Sequence, residues 1–445
     1  MRVITYGTFD LFHQGHRRLL ERARELGDYL VVGVTTQNYD EARGKLNVRQ
    51  GLMERIANVQ ESGLADEVII EEYEGQKITD IQRYGIDLFV IGSDWRGQFD
   101  YLNDYCRVVY LDRTKDVSST QLREVEGGVV RVGIVGAGRI ASRFVAEARY
   151  VSGVSIEAVH SRTLAGAEAF AAEHELDRAY GTYAEMLAHV DAVYVATPHG
   201  THVQYALAAI EAGRHVLCEK PVALTGQDAQ RVFALARERG VVVLEAIKTA
   251  FSPGFLRMVA VTRSGSIGQL RSVDATFTRL LPDGREHHGV DGGSIPELAS
   301  YPLLAIVKLL GADPADVRCY SVQPEGSEVE VFSRIDLTYD GAVASARTGI
   351  GVKAEGDLVV AGSKGYVYVP APWWKTEYFE TRFEDSSQNR KFYYVFEGDG
   401  LRYELAQFAS MIRDGELESF KLRPAESIAI AGIIERARAT ATILT

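Results

Sequence analysis

Short apolar runs alternate with amphipathic stretches through the first half of the chain. The runs at 2–6, 29–34, 67–70, 88–91 and 107–111 are of strand length and apolar on both faces, as strands of a buried parallel sheet are. Between them, 15–25 and 51–60 repeat apolar residues at helical spacing. This alternation predicts an α/β domain over 1–126, a doubly wound sheet of nucleotide-binding size. Gly127 and Gly128 break the pattern, and a fresh apolar run at 129–135 starts it again.

The second alternation places strands at 129–135, 155–160, 192–196, 215–218 and 241–246 and predicts a dinucleotide-binding (Rossmann) domain over 129–248. From about residue 251 the period changes to two. Runs at 270–278, 331–339 and 366–369 predict an open antiparallel sheet in an α+β domain over 249–445. Helical patterns at 296–310, 403–413 and 424–444 belong to it, and the last of them can return to the dinucleotide-binding domain.

Length agrees with several cores, since 445 residues exceed what one ordinary core supports. The net charge of -12 argues against a general binder of nucleic acid or anionic membranes. No apolar run reaches membrane-spanning length, and the start of the chain reads as a strand, not a signal peptide. Cys106, Cys218 and Cys319 are odd in number and far apart, so they frame neither disulfides nor a zinc site. A cytoplasmic location is expected.

Chemistry enters where the strands end. His13, Gln14, Gly15 and His16 follow the first strand and open a helix. Gly15 permits a tight turn, and free N–H groups at a helix start attract an anion. Two imidazoles on such a turn can both face a phosphate and stabilise charge on a phosphoryl transition state. Arg113 with Ser118, Ser119 and Thr120 before a later helix makes a second anion cradle.

The segments GTFDLFHQGH (7–16), IGSDWRGQFDYL (91–102) and RTKDVSST (113–120) together resemble the glycerol-3-phosphate cytidylyltransferases of the cytidylyltransferase superfamily. The resemblance covers about residues 1–125. It implies that His13 and His16 stabilise the α-phosphate of CTP while a substrate phosphate attacks. It implies that Arg113, Ser118, Ser119 and Thr120 hold the triphosphate, with Lys45 and Arg55 as further phosphate contacts. Thr8, Phe9 and Asp10 would line the turn, and Gly92, Asp94 and Trp95 would lie beside the nucleotide or the alditol. Pyrophosphate release implies Mg²⁺, whose ligands the sequence does not reveal. Three positions depart from the family: Gln37 where an Asp is usual, a single Lys45 where a lysine pair is common, and Gly63 where an arginine is frequent.

The second turn carries Gly133, Gly136, Gly138 and Ala141 between a strand and a helix, the dinucleotide fingerprint, with Arg139 and Ile140 in its last steps. The next strand ends in His160, Ser161 and Arg162 rather than an acidic residue, which suits the 2′-phosphate of NADP(H) over NAD(H). Glu219-Lys220-Pro221 after a buried strand then resembles the Gfo/Idh/MocA oxidoreductases over about 129–445. That resemblance implies that Lys220 touches nicotinamide and substrate and helps move the proton, with Glu219 beside it and Thr197 and Pro198 along the ring. His199 joins the cofactor-binding set, although His199 and His202 read better as structural than catalytic. In GGSIPELASYP (292–302), Glu297 stands where the family has Asp, and Tyr301 fills the later acid–base position. A Glu reaches about 1.5 Å further, so either the substrate sits differently or Tyr301 carries the proton. Lys248, Arg279, His287 and His288 are further substrate-pocket candidates.

Together the motifs imply a bifunctional enzyme. The later domains would reduce a small keto- or aldo-sugar phosphate with NADPH, and the first would join the polyol phosphate to CMP from CTP, giving a CDP-polyol for teichoic acid or capsule. Three alternatives stay open: redox chemistry on a CDP-linked substrate, a cytidylyltransferase with an idle dehydrogenase, and an NADP(H)-sensing binding protein. The oxidoreductase resemblance also implies a homo-oligomer, dimer or tetramer.

Overall fold

The structure is a computed structural model and describes residues 1–42, 44–73, 75–112, 129–282, 284–289 and 291–445. Arg113, Ser118, Ser119 and Thr120, and the glycine pair 127–128, lie outside the described residues. Among the described residues there are three sheets and two compact units. The first unit takes in Met1–Arg131, Val145–Glu157 and Ala169–Arg178; the second takes in Val132–Phe144, Ala158–Glu168 and Ala179–Thr445.

The first sheet is parallel, with β1 (Arg2–Gly7), β2 (Tyr29–Thr35), β3 (Glu67–Glu71), β4 (Leu88–Gly92) and β5 (Arg107–Leu111) in the order β3-β2-β1-β4-β5. Val3, Val32, Val34 and Val90 face one helical layer with Leu20, Ala23 and Val59. Ile4, Val31, Phe89 and Ile91 face the other with Ile81 and Leu102. Helices on both faces explain why these strands are apolar throughout instead of alternating. The strand order reverses between β1 and β4, so the crevice at their carboxyl ends is the natural ligand site.

The second sheet comprises β6 (Val130–Val135), β7 (Val154–His160), β8 (Arg178–Tyr180), β9 (Ala192–Val195), β10 (His215–Glu219) and β11 (Val243–Ala246), in the order β11-β10-β9-β6-β7-β8. This is the doubly wound dinucleotide-binding order, with its switch point between β6 and β9. Strand β8 is too short at three residues to leave a periodic signal.

The third sheet comprises β12 (Leu270–Thr278), β13 (Asp316–Val322), β14 (Phe332–Tyr339), β15 (Ala342–Gly349), β16 (Leu358–Gly362), β17 (Gly365–Val369), β18 (Tyr378–Phe383), β19 (Arg390–Tyr393) and β20 (Thr442–Leu444). It is mixed, not purely antiparallel: β12 pairs in parallel with β15, and β13 with β20. The chain leaves β12 through a helix and the β13–β14 hairpin before β15 returns beside β12, the kind of long crossover that parallel pairing needs. The last helix stops at Ala439, short of the expected 444, because Thr442–Leu444 is drawn into the sheet edge. That helix, Pro424–Ala439, packs on the helix Gly226–Arg239: Gly226 N–H donates to Glu435 at 3.0 Å, and Ala431 shares a core with Val232. The expected helix 296–310 is two pieces, Ser294–Leu298 and Ser300–Leu310. No helix among the described residues is long and apolar enough to cross a membrane. Cys106, Cys218 and Cys319 are buried and unpaired.

Candidate active sites

At the end of β1 the backbone turns sharply. Phe9 and Leu11 adopt φ values of 51° and 48°, a left-handed conformation that side chains rarely accept and that persists where the surroundings enforce it. Buried Phe9 anchors the turn in the core beside Leu20. His13 then caps the helix Gln14–Glu25. Its Nδ1 accepts from Gly15 N–H at 3.1 Å, and His16 Nδ1 accepts from His13 N–H at 3.4 Å. The rings stack at 3.8 Å between centroids. Because each Nδ1 accepts a backbone proton, each neutral ring carries its own proton on Nε2. Burial, then His13 and Lys45, push the His16 imidazole well below the ordinary histidine range, so it remains neutral at pH 7. The pair therefore offers N–H donors to a phosphoryl oxygen rather than a cationic charge.

Gly15 sets this geometry. A Cβ there would lie 2.9 Å from His13 Cε1 and 3.0 Å from its Nδ1. Gly15→Ala should turn the His13 ring and lower cytidylyl transfer by about tenfold to a hundredfold, with little change in melting temperature. Pyrophosphate release against a thermal melt checks this.

The neighbouring candidates have distinct placements. The buried Asp10 carboxylate accepts from the N–H groups of Arg49 (3.1 Å) and Gln50 (2.9 Å), tying the turn to the 47–50 loop. Thr8 donates to Asp40 at 2.9 Å. Arg55 is 0% exposed; it donates to the carbonyls of Thr8, Thr35 and Gln50 and pairs with Asp40 at 3.5 Å. Its place is thus beneath the turn, where it braces the backbone. Asp40, which the sequence reading missed, puts a carboxylate soon after β2 although Gln37 is not one. Lys45 donates to the carbonyl of Arg149, a residue of the same compact unit. Gly92 ends β4, and Asp94 and Trp95 follow in a 3-10 turn at the crevice, where Trp95 meets Phe99. Among the described residues no three His, Cys, Asp or Glu side chains are grouped to hold a metal ion.

In the second sheet, Gly136 has φ 103°, and a Cβ there would collide with the Ala196 carbonyl at the end of β9. Beside Gly138 the space is open, as a close-lying pyrophosphate requires. Ala141 is fully buried and lets the helix Arg139–Ala148 sit close to the sheet. Ile140 is half-buried. Ser161 and the exposed Arg162 follow β7, with the Ser161 hydroxyl donating to Thr163 O at 2.8 Å. These residues fit a dinucleotide.

Lys220, at the end of β10, donates from Nζ to the backbone carbonyl of Glu297 at 2.8 Å and lies 5.9 Å from the Tyr301 ring centroid. Tyr301 packs edge-on against Phe277, which stacks on Trp374. Burial, reinforced by Glu219 and Glu404, pushes the Tyr301 phenol well above its ordinary range, so it keeps its proton. Glu219 accepts from Tyr194 at 2.5 Å. The extra carbon of Glu297 takes its carboxylate to His199 Nε2 (3.0 Å) and Arg285 Nη2 (3.3 Å), while Lys220 meets only its backbone. Burial would raise the Glu297 carboxyl, but the His199 hydrogen bond, with Lys220 and Arg285, outweighs it and sets it at about 2. Burial holds His199 neutral, so it donates to the carboxylate.

His202 bridges the two loops of the pocket, with its ring nitrogens 2.8 Å from the Pro221 and Thr197 carbonyls. Thr197 also accepts from Thr201, and Pro198 leads into the turn bearing His199. Burial lowers Lys248, although Asp399 and Glu404 oppose it. Arg279, His287 and His288 lie on the segment between β12 and the helix Ser294–Leu298. The same segment supplies two residues the sequence reading missed: Arg285, and Glu286, which pairs with Arg139 at 2.6 Å.

Comparison with known proteins agrees with two enzyme families in one chain. Residues 4–125 match the cytidylyltransferase-like family, 130–247 the NAD-binding Rossmann fold of the oxidoreductase family GFO/IDH/MocA, and 255–368 its C-terminal domain. The first part is 50% identical over 123 residues to glycerol-3-phosphate cytidylyltransferase of Bacillus spizizenii, which covers 28% of this chain and 95% of that one. The remainder is 31% identical over 326 residues to trans-1,2-dihydrobenzene-1,2-diol dehydrogenase of Sus scrofa, covering 69% of this chain and 96% of that one. A 3-ketoreductase from Actinomadura kijaniata, solved with NADP and TDP-benzene, aligns with a TM-score of 0.63 at 26% identity over 71% of this chain and 99% of its own. The chain therefore belongs to two enzyme families at once, with a cytidylyltransferase domain at its start and a GFO/IDH/MocA oxidoreductase over the rest.

Proposed function

We propose that the two domains catalyse consecutive steps toward a CDP-polyol. A ketose or aldose phosphate is reduced by NADPH to a polyol phosphate, and that phosphate attacks CTP to give the CDP-polyol and pyrophosphate. The observation that carries this reading is the joining in one chain of a paired-imidazole turn and a Lys220–Tyr301 proton site, because the first consumes the class of compound that the second can make. The Bacillus spizizenii relative is named for glycerol 3-phosphate, which supports a small polyol phosphate such as glycerol or ribitol phosphate.

When bound, the dinucleotide supplies a hydride to the carbonyl carbon. The protein supplies the proton to the carbonyl oxygen, from the Tyr301 hydroxyl or the Lys220 ammonium, both held at one pocket. In the other domain the Nε2–H groups of His13 and His16 stabilise charge growing on the α-phosphoryl oxygens. Mg²⁺ belongs to the same proposal and would arrive with the triphosphate. Product identification by mass spectrometry tests the reading: CTP with glycerol 3-phosphate or ribitol 5-phosphate should yield the CDP-polyol, and no product from any polyol phosphate would end it.

Arg162 supports a preference for NADPH. Removing a guanidinium from a 2′-phosphate costs about 1.5–3 kcal/mol, so Arg162→Ala should weaken NADPH binding by roughly tenfold to a hundredfold. NADH binding, measured by the same fluorescence titration, should stay unchanged. Equal loss for both would mean that Arg162 merely shapes the loop.

A second reading has the redox step act after cytidylyl transfer, on a CDP-linked substrate. The aligned 3-ketoreductase, solved with a TDP-linked ligand, favours it.

A further inference from the structure

The crevice of the first sheet is bordered by chain that follows it in sequence. Residues 145–157 and 169–178 come after the glycine pair 127–128, yet they belong to the first compact unit. The Leu46 N–H donates to the Tyr150 carbonyl at 2.7 Å and the Ser152 N–H to the Leu46 carbonyl at 2.9 Å, so the loop after β2 meets this chain in a single parallel bridge, Leu46 to Val151. Lys45 Nζ donates to the Arg149 carbonyl at 2.5 Å. The same loop holds Asp10 through the N–H groups of Arg49 and Gln50. The Arg149 side chain reaches the turn after β4. Its Nη1 donates to the Asp94 carbonyl, and its guanidinium lies 5.4 Å from the Trp95 ring centroid. Tyr150 meets the same ring edge-on at 5.8 Å, and the Ser93 hydroxyl donates to Glu175.

Arg149 therefore joins the loop after β2 to the turn after β4, and β1 lies between those two strands in the sheet. A guanidinium that bonds a backbone carbonyl and covers the neighbouring aromatic face restrains the turn twice, which an apolar side chain of the same length would not do. Burial, then His13 and Lys45, lower the His16 imidazole, so Lys45 lies within electrostatic reach of the paired rings. The rim that Arg149 joins thus borders the place where an acceptor phosphate would meet the α-phosphate of CTP. We infer that Arg149 is a positioning residue for cytidylyl transfer: its guanidinium fixes the Asp94–Trp95 turn, against which the acceptor polyol phosphate settles. The inference rests on the proposed reading of the first domain as a polyol-phosphate cytidylyltransferase.

Two measurements on the full-length protein test it, and the first needs no substrate. Within the turn, the Arg96 N–H donates to the Ser93 carbonyl at 2.9 Å and the Gln98 N–H to the Trp95 carbonyl at 3.0 Å. Amide hydrogen exchange of a peptide spanning 91–102 therefore reads the opening of the turn. Arg149→Met keeps the apolar stem and removes both guanidinium contacts, and should speed that exchange by about threefold to tenfold. Arg149→Lys keeps a cation and a donor and should stay within about twofold of wild type.

The second is pyrophosphate release from CTP with glycerol 3-phosphate and, in parallel, ribitol 5-phosphate. In Arg149→Met the KM for the acceptor that the wild type uses should rise by about threefold to tenfold, while kcat and the KM for CTP stay within about twofold. Arg149→Lys should restore most of that loss. Unchanged exchange or an unchanged acceptor KM in Arg149→Met overturns the proposal, and so does a fall in kcat alone. An Arg149→Lys variant no better than Arg149→Met overturns it too, because the loss would then not follow the cation. Wild-type protein that releases no pyrophosphate with either acceptor ends the functional reading, and the acceptor role with it. An active wild type whose acceptor KM ignores Arg149 ends this proposal alone.

Discussion

His16→Ala should lower pyrophosphate release from CTP by about a hundredfold to a thousandfold, the usual cost of one donor aimed at developing charge. The tautomer sets which nitrogen donates. His16 Nδ1 is occupied by the His13 N–H, so Nε2 carries the proton and is the donor lost on truncation. Part of the loss will come through His13, which stacks on it at 3.8 Å. His16→Gln, which can place an amide N–H near the lost Nε2, should recover some of the rate. Since His16 is held neutral well below its ordinary pKa, wild-type transfer should show no inflection from it between about pH 6 and 8. NADPH oxidation should be untouched. A wild-type rate in His16→Ala would show that the turn binds without catalysing.

Lys220→Met should lower NADPH oxidation by roughly a hundredfold to ten-thousandfold, as loss of a positioned proton donor does. Met fills a similar volume, so packing beside Tyr301 should survive, and only the bond to the Glu297 carbonyl is lost. Tyr301 remains as a second donor, kept protonated by burial and by Glu219 and Glu404. The double variant with Tyr301→Phe should therefore fall further than Lys220→Met alone. NADPH binding, read by fluorescence, should change little, and cytidylyl transfer not at all. Undiminished oxidation in the double variant would remove both residues from the chemistry.

Much of this was legible in the sequence because parallel strands packed on both faces leave apolar runs, and phosphate-binding turns need glycines at fixed places. The runs at 2–6 and 107–111 and the glycines of the second turn stand where the pattern put them. The sheet after residue 270 was less legible, since period two marks strands but not their direction, and the β12–β15 pairing is parallel. At the candidate sites, motif chemistry singled out His13, His16 and Lys220, but long-range charge pairing lay beyond it. Arg55 reads as a phosphate contact by type, and only folding shows it buried beneath the turn. Arg285 and Glu286 belong to no motif. Their roles arise from contacts across long stretches of sequence, such as Arg139 with Glu286. Glu297 is intermediate: the sequence exposed its extra carbon, and the fold showed that the carbon carries it to His199.

On the proposed function, one chain reduces a sugar phosphate and then activates it. The most direct measurement is a single incubation of the wild-type protein with CTP, Mg²⁺ and NADPH deuterated at the transferable hydride. Dihydroxyacetone phosphate, ribulose 5-phosphate or xylulose 5-phosphate is supplied in parallel, and the nucleotide products are read by mass spectrometry. A CDP-polyol carrying a single deuterium on carbon is expected from one of these sugars. An unlabelled CDP-polyol, formed only from added polyol phosphate while NADPH is unchanged, would contradict it.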